Sequence, residues 1–148
     1  MAVMPSDHVI DPTESFQNAL KQASSLVNEF PDRLVTFGIR PTSPSSNYGY
    51  IQQGEDLPHT HNESPVHRVA QFREKPPVDV AKEYLSAGNF LWNAGIFVWR
   101  AKTIIKALAK HQPDCLKHLQ RIADNWNTPE RNTIFSEEFA AIKGVSID

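Results

Sequence analysis

Glycine is scarce in this chain and nowhere clustered: six copies are scattered through 148 residues, so no segment could wrap a nucleotide triphosphate with successive backbone amides. Cysteine is scarcer still. Cys115 is the only one, which excludes an internal disulfide; beside Leu116 in a helix-like stretch it reads as a buried or half-buried thiol, consistent with a reducing compartment. Positive charge is not in excess, because the formal net charge is −2 and the sequence pI is near 6.3. That leaves no basic field of the kind that drives nucleic-acid binding, so any phosphate recognition must come from a few placed residues, which suits a small phosphorylated ligand. No apolar run approaches the length of a membrane span, and Met1 to Pro5 has neither the basic region nor the apolar core of a secretion signal. The expectation is a soluble, cytoplasmic protein without nucleic-acid or membrane partners. Internal repeats and low-complexity tracts are also lacking.

What is there suffices for one domain with a hydrophobic core: 40% of residues are apolar and 22% charged, so disorder is not the default. The apolar start running into Pro5-Ser6-Asp7-His8 reads as the end of a buried parallel strand whose beginning is missing, which leaves open that Met1 is not the natural start. Asp11-Pro12-Thr13-Glu14 reads as a helix start with Asp11 as cap. Phe16, Ala19, Leu20, Ala23, Leu26 and Val27 then recur at helical spacing and form one apolar face. Leu34 to Ile39 is β-branched and aromatic and predicts a strand ended by Pro41. Strand, helix and strand in that order give the α/β rhythm.

Further on, Tyr48 to Ile51 predicts a short strand, Gln52 to Pro65 a polar surface excursion, Val66 to Lys75 a strand, and Asp79 to Ala87 a helix stopped at Gly88. Ile96 to Trp99 reads as a buried strand. Two helices separated at Pro113 follow, then another starting near Thr128-Pro129-Glu130, and Ile142 to Ile147 leads into a final strand.

Several residues could carry chemistry. Asp7 lies just past the first apolar run, where the end of a parallel strand presents ligands to a crevice; taken alone, its Pro-Ser-Asp setting favours a turn or cap aspartate. Asp148 ends an alternating Val145-Ser146-Ile147 stretch and is either a ligand or a frayed terminus. Glu74 and Lys75 are adjacent, so on a regular strand they point to opposite faces and can touch one ligand only if the strand bends, for which Pro76 gives a reason; a solvated Lys75 is the other reading. Asn93 is either a turn asparagine or a polar group for a ligand. His59, His61 and His67 could suggest a metal site, but they sit in a polar segment without cysteine and read as solvated. Trp92, Trp99 and Trp126 read as core residues.

Five segments occur in a definite order: Val35-Thr36-Phe37-Gly38-Ile39-Arg40-Pro41-Thr42, Tyr48-Gly49-Tyr50-Ile51, Phe72-Arg73-Glu74-Lys75-Pro76, Trp92-Asn93-Ala94-Gly95-Ile96-Phe97 and Val145-Ser146-Ile147-Asp148. Together they resemble the mannose-1-phosphate guanylyltransferase (GDP-mannose pyrophosphorylase) family of sugar nucleotidyltransferases. The resemblance implies an α/β fold, part of a Rossmann-like, glycosyltransferase A-like mixed sheet flanked by helices. It makes residues 1–148 a partial nucleotidyltransferase domain, the sugar-phosphate half, without the family's opening glycine-rich nucleotide loop.

The resemblance also implies roles. Asp7 and Asp148 match the aspartates that hold catalytic Mg²⁺, a hard ion commonly bound by one or two carboxylates plus phosphate. Gly49, Glu74 and Asn93 match sugar-binding positions, and Lys75 the residue that neutralises the sugar's phosphate. Two positions depart from the family pattern: Asn47 replaces the first glycine of Gly-Tyr-Gly-Tyr, and Ala94 stands for serine. The implied reaction joins mannose 1-phosphate and GTP into GDP-mannose and pyrophosphate, with the isolated chain inactive. The alternatives are a glucose 1-phosphate type of nucleotidyltransferase and a non-catalytic sugar-phosphate-binding module. A homo-oligomer of the full-length protein is compatible with either.

Overall fold

The predicted apolar helix face is realised as α1 (Thr13–Glu29). In this computed structural model, which describes residues 1–57 and 64–147, the chain divides into two compact units, Met1–Arg100 and Ala101–Ile147.

The first unit is built on five strands: β1 (Ala2–Val3), β2 (Val35–Ile39), β3 (Tyr50–Asp56), β4 (His67–Arg73) and β5 (Phe90–Val98). Strand β5 is the hub. Val98 pairs with both Ala2 and Val35, and Trp92 pairs with both Ile39 and Tyr50. A residue in a ladder has only two flanks, so β2 runs along one side of β5 while β1 and β3 share the other. β4 then pairs with β3. Each of these pairings is antiparallel, so β1 and β2 run parallel to each other across β5, and α1 is the crossover between them.

Two clusters hold helices to this sheet. Ala23 and Val27 of α1 pack with Val98, joined by Leu20, Val35 and Phe37. Helix α2 (Val78–Ala87) places Ala81 with Tyr50 and Phe90, joined by Tyr84 and Trp92. Leu91 lines a cavity with the α1 residues, and its neighbour Phe90 packs with α2; adjacent strand residues face opposite sides, so the helices cover opposite faces. Phe90 and Val98 should share a face on a regular strand, yet they belong to different clusters. The irregularity lies between them, where Gly95 has φ 67° and the β2–β5 register shifts between Thr36 and Gly38.

Chain ends and turns follow recognisable physics. Gly88, in the left-handed region at φ 74°, terminates α2. The Arg100 guanidinium donates to the carbonyls of Val27 (3.0 Å) and Asn28 (3.2 Å), satisfying acceptors at the negative end of α1. Tyr50 is fully buried, and its hydroxyl donates to Ser45 O and accepts from Ser45 N–H, both at 3.0 Å. Those bonds pin the Ser/Pro/Asn loop to the sheet.

The second unit consists of α3 (Ala101–His111), α4 (Pro113–Asp124) and α5 (Arg131–Ala141). Pro113 occupies the start of α4, where its missing N–H leaves no helical bond unmade. Glu138 of α5 is buried and takes two partners from α4, Arg121 Nη1 at 2.8 Å and His118 Nδ1 at 2.7 Å.

Some sequence-based expectations are revised. Pro12 stands at the cap position of α1 without a side-chain cap bond, so Asp11 is not the cap. Strand β3 extends to Asp56, into the segment assigned to a surface excursion, because pairing with β4 supplies partners that its polar sequence does not advertise. Strand β5 begins at Phe90, so Asn93 lies inside a strand and not in a turn. Ala2–Val3 is exposed and not buried. Residues 142–147 contain no strand. Trp99 is buried and Trp92 partly so, but Trp126 is 44% exposed, with the Arg131 guanidinium 4.1 Å above its ring. Cys115 is half-buried and free.

Candidate functional site

The β3 N-terminal end lies between two other strands, and that position assembles the site. Tyr50 pairs with Arg73 on one side and with Trp92 on the other. Gly49, one residue earlier, is therefore flanked by Glu74 and Asn93. The Asn93 N–H donates to Gly49 O at 2.8 Å. A Cβ built on Gly49 would lie 2.7 Å from Glu74 Oε2 and 3.3 Å from the Phe72 ring. The missing side chain of Gly49 is the space that the end of the Glu74 carboxylate occupies, and a Cβ there would make that carboxylate move.

Lys75 solves the problem of two adjacent side chains on one strand. Its φ is 44°, the left-handed region that residues bearing a Cβ seldom adopt. The chain turns there, and Lys75 Nζ comes to 3.6 Å from Glu74 Oε1. Their side chains are 65% and 46% exposed, so the ion pair adds at most about 1 kcal/mol. It therefore does not explain why the backbone bears a left-handed lysine, which costs on the order of 1–2 kcal/mol. The buried Pro76 fixes the chain just after the turn. Such outliers cluster at ligand-binding and switch segments of proteins in general.

Asn93 is held by its oxygen. Its Oδ1 accepts from the Thr36 hydroxyl at 3.0 Å and from the Gly95 N–H at 3.2 Å. Its neighbour Trp92 packs on the α2 side of the sheet, where its ring meets that of Tyr48 at 4.8 Å between centroids.

Asp7 enters from the other end of β5. Strand β1 runs opposite to β5, from Val3 beside Phe97, so Pro5 arrives against Gly95, its Cγ 3.5 Å from where a Cβ would be. Asp7 follows two residues later and is exposed. Asp148 lies outside the described residues, as do His59 and His61. His67 Nδ1 is 2.6 Å from Asp56 Oδ1, which accounts for that imidazole without a metal. Among the described residues no group of three or more His, Cys, Asp or Glu side chains could hold a metal ion. A carboxylate pair with phosphate oxygens and water is nonetheless a donor set that suits Mg²⁺.

Of the residues expected at the site, Gly49, Glu74, Lys75 and Asn93 are thus brought together, and Asp7 lies on the segment that reaches Gly95. Thr36 and Phe72 also touch these residues and were not singled out for the site. Each lies in a motif already noted, but spacing along the chain carries no sign that Thr36 meets Asn93 through the β2–β5 ladder.

The fold and the motif order define the class: the chain belongs to the Nucleotidyl transferase family, whose model matches residues 1–133. It has the Rossmann-like α/β fold of that class, a sheet flanked by helices. Among individual proteins it is similar to a mannose-1-phosphate guanylyltransferase of Klebsiella pneumoniae, 41% identical over 128 residues that make up 84% of this chain and 26% of the relative. It also resembles the crystal structure of a protein described as mannose-1-phosphate geranyltransferase from Thermus thermophilus, with a TM-score of 0.79 and 29% identity over 99% of this chain and 39% of that one. A third likeness is to the crystal structure of a mannose-6-phosphate isomerase from Helicobacter pylori, with a TM-score of 0.71 and 35% identity over 84% of this chain and 44% of that one. The chain spans between 24% and 30% of the length of the curated relatives it matches.

Proposed function

We propose that this chain forms the sugar-phosphate-holding part of a mannose-1-phosphate guanylyltransferase, an enzyme that joins mannose 1-phosphate and GTP into GDP-mannose and pyrophosphate in the cytoplasm. The observation that carries the reading is the convergence of Gly49, Glu74, Lys75 and Asn93 at one end of β3, in a chain 36–41% identical to proteins named for that reaction. Among the described residues no helix is long and apolar enough to cross a membrane.

Each side chain has a distinct task in this reading. The Glu74 carboxylate accepts hydrogen bonds from sugar hydroxyls. The Asn93 amide reads a further hydroxyl. The missing Cβ of Gly49 lets the sugar approach the backbone. The Lys75 ammonium meets the sugar's phosphate, holding a nucleophilic oxygen where it can attack a nucleotide phosphorus in line; positioning and electrostatics do most of the work in such transfers. Asp7 and Asp148 are the residues that would hold magnesium, which when bound supplies charge neutralisation at phosphate oxygens.

Titration calorimetry of the chain with mannose 1-phosphate, with and without Mg²⁺, tests this. The expected result is binding that exceeds binding of glucose 1-phosphate and that Lys75→Ala weakens by about tenfold or more, the loss of one charge-assisted contact. Equal binding of both sugar phosphates would favour the glucose-type transferase. Metal-independent binding unaffected by Asp7→Asn would favour a non-catalytic module. Because the glycine-rich nucleotide loop is not among these 148 residues, pyrophosphate release by this polypeptide alone should stay at background.

A further inference from the structure

We propose that Thr36 is a positioning residue for sugar recognition, acting through Asn93 by holding in place an amide whose orientation the Gly95 N–H sets. The inference rests on the sugar-phosphate reading above and adds to it a residue and a task.

The argument starts from hydrogen counting. An asparagine amide has a pure acceptor end and a pure donor end, and rotating it by half a turn exchanges them at little steric difference. Around Asn93 two groups face one end. The Gly95 N–H can only donate, so the atom 3.2 Å from it must be the oxygen. Thr36 Oγ1 lies 3.0 Å from the same oxygen and 3.1 Å from the carbonyl of Ile96. A hydroxyl has one hydrogen, and facing two acceptors it serves as a donor shared between them. Were the amide reversed, its NH₂ would confront the Gly95 N–H. The Gly95 N–H therefore selects the orientation, oxygen inward, and the Thr36 hydroxyl, which can donate or accept, adds a second bond that holds the oxygen there.

Two backbone features set up this arrangement and come from distant parts of the chain. Gly95 is left-handed, which points its N–H back at the side chain two residues earlier. The register shift between Thr36 and Gly38 sets Thr36 opposite Phe97 while Gly38 pairs with Asn93. The extra length of β5 between those pairs is what lets the threonine hydroxyl reach both Asn93 and Ile96. Valine has nearly the same shape and β-branching as threonine and lacks the hydroxyl, so it removes the bond without removing the strand.

A double-mutant cycle on the 148-residue chain, read by calorimetry with mannose 1-phosphate, tests this. Thr36→Val should weaken binding by about fivefold, the loss of one hydrogen bond, and Thr36→Ser, which keeps the hydroxyl, should stay within about twofold of the parent. Asn93→Ala should weaken binding by more, and Thr36→Val added to it should have no further effect, because the threonine acts only through that amide. Equal losses from Thr36→Val with and without Asn93 would overturn the proposal, as would failure of serine to rescue. Far-UV circular dichroism keeps misfolding separate from lost binding. If the parent chain binds no mannose 1-phosphate, the sugar-phosphate reading fails, and the positioning claim is then decided by NMR of the Asn93 side-chain NH₂. Thr36→Val should move those resonances and Thr36→Ser restore them; resonances that valine leaves unmoved would sink the claim on its own.

Discussion

Two carboxylates of this molecule, Glu74 and Glu138, each sit beside a cation, Lys75 and Arg121, and they illustrate opposite uses of the same chemistry. Glu138 in the helical unit is buried and takes both His118 and Arg121 at hydrogen-bond distance, 2.7 and 2.8 Å. Glu74 at the sheet end is half exposed, its cation stands 3.6 Å away, and that cation rests on a left-handed backbone. The first arrangement is closed: partners two short bonds deep tie α4 to α5. The second is loose and strained, as suits groups that keep their directed bonds for a ligand. A short, buried, satisfied ion pair argues for structure, and a longer exposed one on strained backbone argues for a site.

Experiments can break that contrast. Largest is the effect expected at Glu138: substitution by alanine should lower stability by about 2 kcal/mol in urea denaturation, the loss of two hydrogen bonds, one of them to the Arg121 guanidinium. Affinity for mannose 1-phosphate should hardly change. Conversely, Glu74→Gln should weaken that binding by about tenfold while altering stability by less than about 0.5 kcal/mol, as for an exposed pair. A stability loss at Glu74 rivalling that at Glu138 would erase the distinction.

Smaller effects sharpen it. Tyr50→Phe keeps the buried ring and removes both bonds to Ser45, so it should cost about 1 kcal/mol, read from the denaturation midpoint, and loosen the loop before Gly49. Lys75→Gly should raise stability by about 0.5–1 kcal/mol, because glycine adopts a positive φ freely, and should lose phosphate affinity at the same time. A glycine variant that is destabilised would show that the lysine is structural.

Much of this was legible in the residues, for reasons particular to each element. The α1 face was readable because its apolar spacing is local and strong. Gly88 announced its helix end because few residues tolerate φ 74°. Glu74 and Lys75 could be named, but strand alternation alone puts them on opposite faces, and only the left-handed turn at Lys75 resolves that. Asn93 could be named too, yet its place inside β5 was missed, since Trp-Asn-Ala-Gly has the composition of a turn and its strand character comes from flanking by β2 and β3.

The sequence by itself determined the α/β class, the helix and strand content of most segments, and the residue types from which a sugar-phosphate site could be made. These are matters of local periodicity, turn chemistry and motif order, which act over a few bonds or are read in line. The tertiary structure decided which polar groups meet: Gly49 against Glu74, Asn93 against Thr36, Pro5 against Gly95. Those meetings depend on ladder register and on a bulge that changes which face each β5 residue presents. Register is fixed by hydrophobic faces packing on two different helices, a balance struck across the whole sheet.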